Sequence, residues 1–261
     1  MPQPSLRELL DVATECAYLA GRRSLAYFNA GVDVEHKGDD TPVTRADREA
    51  EHVIREVIHK FFPSHSILGE EHGKTVGGDP DYTWIVDPID GTKSFIHGVP
   101  LYGSVVGCVV RGEPRVGAVY LPPLGDMFAA AEGEGATWNG RRCRVSEVDQ
   151  LEDATVLAGS ITRAIKRSDA YEKLADRARL NRGWGDVFGY MLVASGRAEV
   201  MLDPTISIWD IAGVAPIVRE AGGFFGNWAG ELTIGGPDAC AVNGKLRDEV
   251  LGVLKNEKRR A

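Results

Sequence analysis

Apolar residues fall at helical spacing from the start of the chain. After Ser5, a favourable N-cap, Leu6, Leu9, Leu10, Ala13, Ala17, Leu19 and Ala20 make one face and predict a packing helix to about Phe28. Residues 31–36 read as a short strand, 37–44 as a turn-rich loop, and 45–61 as a second helix with Asp47 in its first turn. Residues 66–69 form a strand pattern that ends in Glu70 and Glu71. The run Tyr82-Thr-Trp-Ile-Val then delivers Asp87 and Asp90, across Pro88, into a Gly91-Thr92 turn. Pro88 has no N–H for a ladder, so the chain is expected to leave the sheet there, with Gly91 permitting a sharp turn.

Residues 101–110, 115–121 and 126–131, separated by Arg-Gly-Glu-Pro and Pro-Pro-Leu-Gly, have the pattern of an antiparallel meander, and Asn139-Gly140 marks a further hairpin turn. From Ala154 strands and helices alternate. Strands are expected at 155–159, 199–202 and 239–242, and helices at 168–179, after Asp186, at 207–221 and up to about Lys255. The change of pattern puts a lobe boundary near residue 150, with no flexible linker and no internal repeat.

Charge and cysteine usage narrow the class of function. With 38 acidic against 30 basic residues the chain has no broad positive field, so no nucleic-acid partner is expected. No apolar run approaches the roughly 18 residues that span a bilayer, and the first residues lack a signal-peptide pattern, so neither a membrane partner nor export is expected and the protein reads as cytoplasmic. Cys16, Cys108, Cys143 and Cys240 contain no Cys-x-x-Cys pair and read as buried reduced thiols. Cys16 and Arg22 have the spacing of a cysteine phosphatase, but the residues between them continue an amphipathic helix rather than a phosphate loop.

Acids at element ends carry the chemistry. Asp47 alone would be explained by helix-dipole stabilisation of about 0.3–1 kcal/mol, and Glu70-Glu71 by surface exposure. Were Asp47, Glu70, Glu71, Asp87, Asp90 and Asp210 to converge without cations, their repulsion would raise their pKa values and oppose folding. A divalent metal removes that conflict. An all-oxygen set favours Mg²⁺ over zinc, and His36, His52, His59, His65, His72 and His97 show no ligand spacing. A haloacid-dehalogenase nucleophile is set aside because Pro-Ile, not one residue, separates Asp87 from Asp90.

Asp47, then Glu70-Glu71, then Asp87-Pro-Ile-Asp-Gly-Thr92, then Trp209-Asp210 followed by Gly222-Gly223 resembles the inositol monophosphatase superfamily of Mg²⁺-dependent phosphatases. The resemblance implies a layered α/β fold, an αβαβα sandwich of the metal-dependent sugar-phosphatase type with two lobes. Residues 1–150 would bind metal and phosphate, and residues 151–261 would recognise substrate. It implies that Glu70, Asp87 and the Ile89 carbonyl hold one Mg²⁺, that Asp87, Asp90 and Asp210 hold a second, and that a third, weaker ion lies near Glu70. Asp47, Glu71 and Thr92 form the implied catalytic set, with Asp47 and Thr92 orienting an attacking water for in-line displacement. Gly91 and Thr92 N–H groups would hold the phosphate, and the active unit would be a homodimer. Ser94, where many relatives carry asparagine, has no reading.

The stretch from Arg182 to Tyr190, with Gly-Asp-x-x-Gly-Tyr at its end, is similar to the histidinol-phosphate phosphatase branch. A small phosphorylated metabolite with an ammonium and an imidazole suits it. Asp186 and Asp203 would face the cation, Trp184 would stack, and Arg182 and Gly185 belong to the same substrate-binding segment. Asp186 also suits the N-cap of the following helix. The expectation is hydrolysis of L-histidinol phosphate in histidine biosynthesis. The alternatives are an inositol-1-phosphate or broad sugar-phosphate phosphatase, a nucleotide 3′-phosphatase, and a non-catalytic regulatory binding protein.

Overall fold

The computed structural model describes residues 3–38 and 41–259. Helix α1 (Leu6–Leu25) opens with a capping box, in which Ser5 Oγ accepts the Glu8 N–H and Glu8 accepts the Ser5 N–H. Strands β1 (Val34–His36) and β2 (Pro42–Thr44) pair antiparallel, so the end of the expected loop is a strand; its Asp39 and Asp40 lie outside the described residues. Helix α2 (Arg45–Phe61) follows at once.

Strands β3 (His65–Gly69), β4 (Gly73–Thr75), β5 (Asp79–Asp90), then helix α3 (Thr92–Ile96), then β6 (Gly103–Val110), β7 (Glu113–Leu121), β8 (Asp126–Ala131), β9 (Gly135–Trp138) and β10 (Arg141–Arg142) complete the first half. Their eight-stranded sheet has the order β10-β9-β8-β7-β6-β5-β3-β4, antiparallel except for the parallel β3–β5 pair. Side chains alternate across it. Ile54, Ile58, Leu9 and Ala13 of the two helices pack with Trp84, Val86, Val106 and Cys108 on one face, while Val105, Val119, Leu121 and Phe128 face the other way. Each such aliphatic side chain, fully buried, contributes roughly 1.5–3 kcal/mol.

The second half comprises β11 (Thr155–Ala158), α4 (Ile161–Arg167), α5 (Ala170–Arg177), β12 (Leu180–Arg182), α6 (Asp186–Ala194), β13 (Val200–Asp203), α7 (Ile208–Ile211), α8 (Val214–Glu220), β14 (Phe224–Gly226), β15 (Ala239–Val242) and α9 (Arg247–Lys255). Its five-stranded sheet has the order β12-β11-β13-β15-β14. Leu157, Met201, Phe225 and Ala241 face α6 and α8, which also cover the inner face of the large sheet; Val156, Leu202, Cys240 and Val242 face α4, α5 and α9. The layers are therefore αβαβα, as the resemblance implies, and one continuous core joins the two sheets.

Two departures from the sequence expectation shape the site. Strand β5 does not end at Pro88. Asp87 pairs with Val105 and Asp90 with Gly103, so two residues of β5 face one of β6, and this bulge absorbs the proline and extends the strand to Asp90. The helix expected over 207–221 is broken at Gly213. There the backbone lies against the large sheet: a Cβ on Gly117 would meet Gly213 O at 1.9 Å, and one on Gly107 would meet the Ala212 carbonyl carbon at 2.5 Å. That approach sets α7, and with it Asp210, against β5 and β6. The helix expected over 168–179 is the slightly shorter α5, and α4, seven residues long, precedes it where no helix was expected.

Candidate active site

The end of β5 presents Asp87, Ile89 and Asp90, which are 2%, 1% and 8% exposed. The bulge is held locally, since Ile89 N–H donates to Asp87 Oδ1 at 2.9 Å and Ser104 Oγ donates to the Pro88 carbonyl at 2.7 Å. Gly91 then adopts φ 91°, a left-handed conformation that glycine tolerates, and starts α3. The first N–H groups of α3, those of Thr92 and Lys93, have no intrahelical acceptor by the geometry of a helix start.

Other elements bring further acids to the same place. Asp47 caps α2, accepting the Thr44 N–H and hydroxyl on Oδ2, both at 2.7 Å. Its other oxygen lies 3.4 Å from the Thr92 hydroxyl, which is 3.0 Å from the Ile89 carbonyl. Asp210 caps α7 by accepting the Ser207 N–H at 2.9 Å. One carboxylate oxygen each from Asp87, Asp90 and Asp210 lie within 4.8 Å of one another. Glu70 follows β3, next to Asp87 in the parallel pairing, and donates its N–H to the Val86 carbonyl at 3.3 Å. Glu70, Asp87, Ile89, Asp90, Thr92 and Asp210 line a cleft of about 410 Å³, together with Lys37, Gly91, Lys93, Asp186, Ser207 and Trp209, while Asp47 stands behind Thr92.

The electrostatics follow from burial. Asp87 is held well above the usual carboxylate range by desolvation, reinforced by Glu70, Asp90 and Asp210; Asp90 likewise by desolvation, then Asp210, Asp186 and Asp203. Burial lifts Asp47 above its ordinary value and pushes Asp210 up to about 6. Two buried carboxylates and a half-buried one, all with raised pKa values, with oxygen donors throughout and no histidine among the described residues of the cleft wall, fit a hard divalent cation.

The remaining expected residues divide. Asp186 lies on the cleft wall, but it does not cap α6: the N-cap is Gly185, Asp186 takes φ 51°, and the Val187 N–H donates instead to Asp90 Oδ2 at 2.5 Å. Burial raises its pKa while Lys93 lowers it. Asp203 lies behind the wall, 6% exposed, with Oδ2 unpartnered and burial pushing it up to about 7; a Cβ on Gly159 would meet its Oδ1 at 2.0 Å. Gly185 packs its backbone on Gly159. Trp184 is 40% exposed, and Arg182 is exposed with its guanidinium on the Asn181 carbonyl at 2.7 Å; neither lines the cleft. Glu71 also lies off the cleft wall. Burial pushes it up to about 7, and Lys37 Nζ bridges it, at 2.7 Å, to Glu70, at 2.8 Å. Lys37 and the buried Glu51 are the residues sequence reasoning passed over. The available signal for Glu51 was its place one helical turn after Asp47. The four cysteines are free and buried, and Cys16 lies inside α1.

The fold and this acid cluster define a class: residues 5–258 match the inositol monophosphatase family, and the chain belongs to it. It is a phosphatase of a metal-dependent family, acting on small phosphorylated substrates. Among particular relatives, it is 41% identical over 254 residues to a histidinol-phosphatase of Chlorobaculum parvum, covering 96% of this chain and 98% of the relative. It is 35% identical to a fructose-1,6-bisphosphatase/inositol-1-monophosphatase of Aquifex aeolicus, covering 96% and 97%. The crystal structure of the extragenic suppressor protein SuhB from Bartonella henselae superposes with a TM-score of 0.88 at 30% identity, covering 95% and 99%. No helix among the described residues is long and apolar enough to cross a membrane.

Proposed function

We propose that this protein is a Mg²⁺-dependent histidinol-phosphatase. The observation that carries the reading is Asp186: a carboxylate on the same cleft wall as Asp87, Asp90 and Asp210, supplied by the segment that resembles the histidinol-phosphate branch. The likeness to the Chlorobaculum histidinol-phosphatase over nearly the whole chain supports it.

Glu70, Asp87, Asp90, Asp210 and the Ile89 carbonyl would hold the Mg²⁺ ions, two or three in number. When bound, Mg²⁺ would lower the pKa of a water and stabilise charge on the phosphate and the leaving oxygen. The protein's own residues do the rest. Thr92 has one hydroxyl proton, so once it donates to Ile89 O or Asp47 its lone pairs accept from the attacking water. Asp47, with Oδ2 fixed by Thr44 and Oδ1 facing Thr92, is placed to take the Thr92 hydroxyl proton as Thr92 accepts one from the water, and its raised pKa suits it to do so nearer neutrality. The N–H groups at the start of α3 hold phosphate oxygens. Asp186 receives the substrate ammonium, Asp203 adds negative potential from behind, and the exposed Trp184 ring offers a face to the imidazole.

A second reading, hydrolysis of inositol-1-phosphate or sugar phosphates, is favoured by the likeness to the Aquifex enzyme. Phosphate release in Mg²⁺ decides between them. Histidinol phosphate is expected to exceed inositol-1-phosphate in kcat/KM by at least tenfold, and the reverse order would overturn the substrate assignment.

A further inference from the structure

We infer that Glu51 is a positioning residue: it fixes the turn that presents Glu70 to the cleft. The inference rests on the reading of Glu70 as a metal ligand. Helix α2 sets Asp47, Glu51 and Arg55 at successive intervals of four, so all three share one face. Asp47 faces the Thr92 hydroxyl at 3.4 Å, and Glu51, one turn on, is fully buried.

The Glu51 carboxylate is saturated by the turn after β3. Oε2 accepts the Glu71 N–H at 2.7 Å, and Oε1 accepts the His72 N–H at 3.1 Å. Arg55 Nε, at 2.7 Å, supplies the opposing charge, and its other nitrogens reach Thr75 Oγ1 and the Gly73 carbonyl in the same hairpin. Space for the carboxylate exists only because residue 69 is glycine: a Cβ there would lie 2.1 Å from Glu51 Oε1. Glu70 is thus pinned from both sides. Its own N–H is held by the Val86 carbonyl, beside Asp87, and the next two N–H groups are held by Glu51.

A carboxylate is required here in a way that stability alone would not demand. Two backbone donors and a guanidinium converge on it, and an amide of the same shape has one acceptor oxygen and turns an NH₂ toward a donor. Glu51→Gln therefore releases at least one of the two N–H groups while leaving Asp87, Asp90 and Asp210 in place.

The test is titration calorimetry of Mg²⁺ binding to the wild type, Glu51→Gln and Glu70→Gln, together with hydrogen exchange at the Glu71 and His72 amides. Glu51→Gln is expected to weaken Mg²⁺ binding on the order of 10–100-fold, as loss of an outer support does. Exchange at the Glu71 and His72 amides should speed up, and excess Mg²⁺ should restore turnover. Wild-type affinity together with slow exchange in Glu51→Gln overturns the inference. If Glu70→Gln weakens binding and Glu51→Gln does not, Glu51 is not the positioning residue. If Glu70→Gln itself binds like the wild type, the ligand reading is what fails. Should Glu51→Gln not fold, Gly69→Ala, which evicts the same carboxylate, is expected to give the same loss. Independently of any variant, fast exchange of the Glu71 and His72 amides in the wild type would also overturn the proposal.

Discussion

The acid cluster and the segment from Arg182 to Asp186 meet on the cleft wall through Asp186 but are built differently. In the cluster each carboxylate has a local structural task as well as a chemical one. Asp47 caps α2, Asp210 caps α7, and Asp90 accepts the Val187 N–H, in the first turn of α6, from 97 residues away in the chain. Their positions are over-determined. In the segment, Trp184 is half exposed, the Arg182 guanidinium bonds, among the described residues, only to the carbonyl of its neighbour, and Asp186 sits in a left-handed conformation that a non-glycine residue adopts at a cost. On the proposed function, a reaction shared by many phosphatases is held rigidly, whereas the choice of ester is left to side chains with few constraints.

The largest expected effect lies on the rigid side. Asp210→Asn or Asp90→Asn removes one oxygen ligand and should lower kcat by at least about three orders of magnitude, since several kcal/mol of charge stabilisation goes with it. The same variants should raise the melting temperature of the metal-free protein, because one raised, repelling carboxylate is gone. Near-normal turnover in either variant would break the ligand assignment. On the other side, Asp186→Asn should lower kcat/KM for histidinol phosphate about 10–100-fold, the effect of losing a charged hydrogen bond of roughly 1.5–3 kcal/mol. Hydrolysis of an uncharged-alcohol ester such as inositol-1-phosphate should change little. An equal loss on both esters would place Asp186 in the reaction rather than in selection.

The cluster also makes the metal-free protein sensitive to pH. Burial pushes Asp210 up to about 6 and Asp203 and Glu71 up to about 7, from about 4 in an unfolded chain. The folded state therefore binds more protons than the unfolded one between about pH 4 and 7, and stability contributed by these groups falls as pH rises through that window. With EDTA present, melting temperatures should decline from about pH 5 to 7.5. Saturating Mg²⁺ should flatten or reverse the decline. A metal-free protein that gains stability over this range would show that its acids are not in mutual repulsion.

What could be read from sequence follows the same division. Asp47, Glu70, Asp87, Asp90, Thr92 and Asp210 stand at element ends with turn residues that mark them, and the structure brings all but Asp47 to one cleft wall, with Asp47 against Thr92. The layer order followed from the resemblance, and most of the elements from strand and helix periods. The bulge at Pro88 was hidden because it depends on Ser104 and Gly103 of the neighbouring strand. The break at Gly213 depends on Gly107 and Gly117, about a hundred residues earlier. Lys37 and Glu51 were passed over because a lysine in a loop and a glutamate in a helix are bland until their partners are known. The placement of Asp203 behind Gly159 is likewise a tertiary fact with no local mark.

Trp184 provides the finest test of the contrast. Its ring is 40% exposed, so it is not held by a core, and truncating it should leave the melting temperature within about a degree. If it stacks on the imidazole or faces the cation, Trp184→Ala should raise KM for histidinol phosphate by a few-fold, the equivalent of about 0.5–1 kcal/mol at an exposed site. Because the contact would be the same in ground and transition states, kcat should be unchanged. Trp184→Phe, which keeps a ring of weaker quadrupole, should fall between the two. A fall in kcat with KM unchanged would mean that Trp184 acts on the backbone at Gly185 and Asp186 rather than on the substrate. An unchanged KM in both variants would leave Asp186 as the whole of the selectivity the cleft possesses.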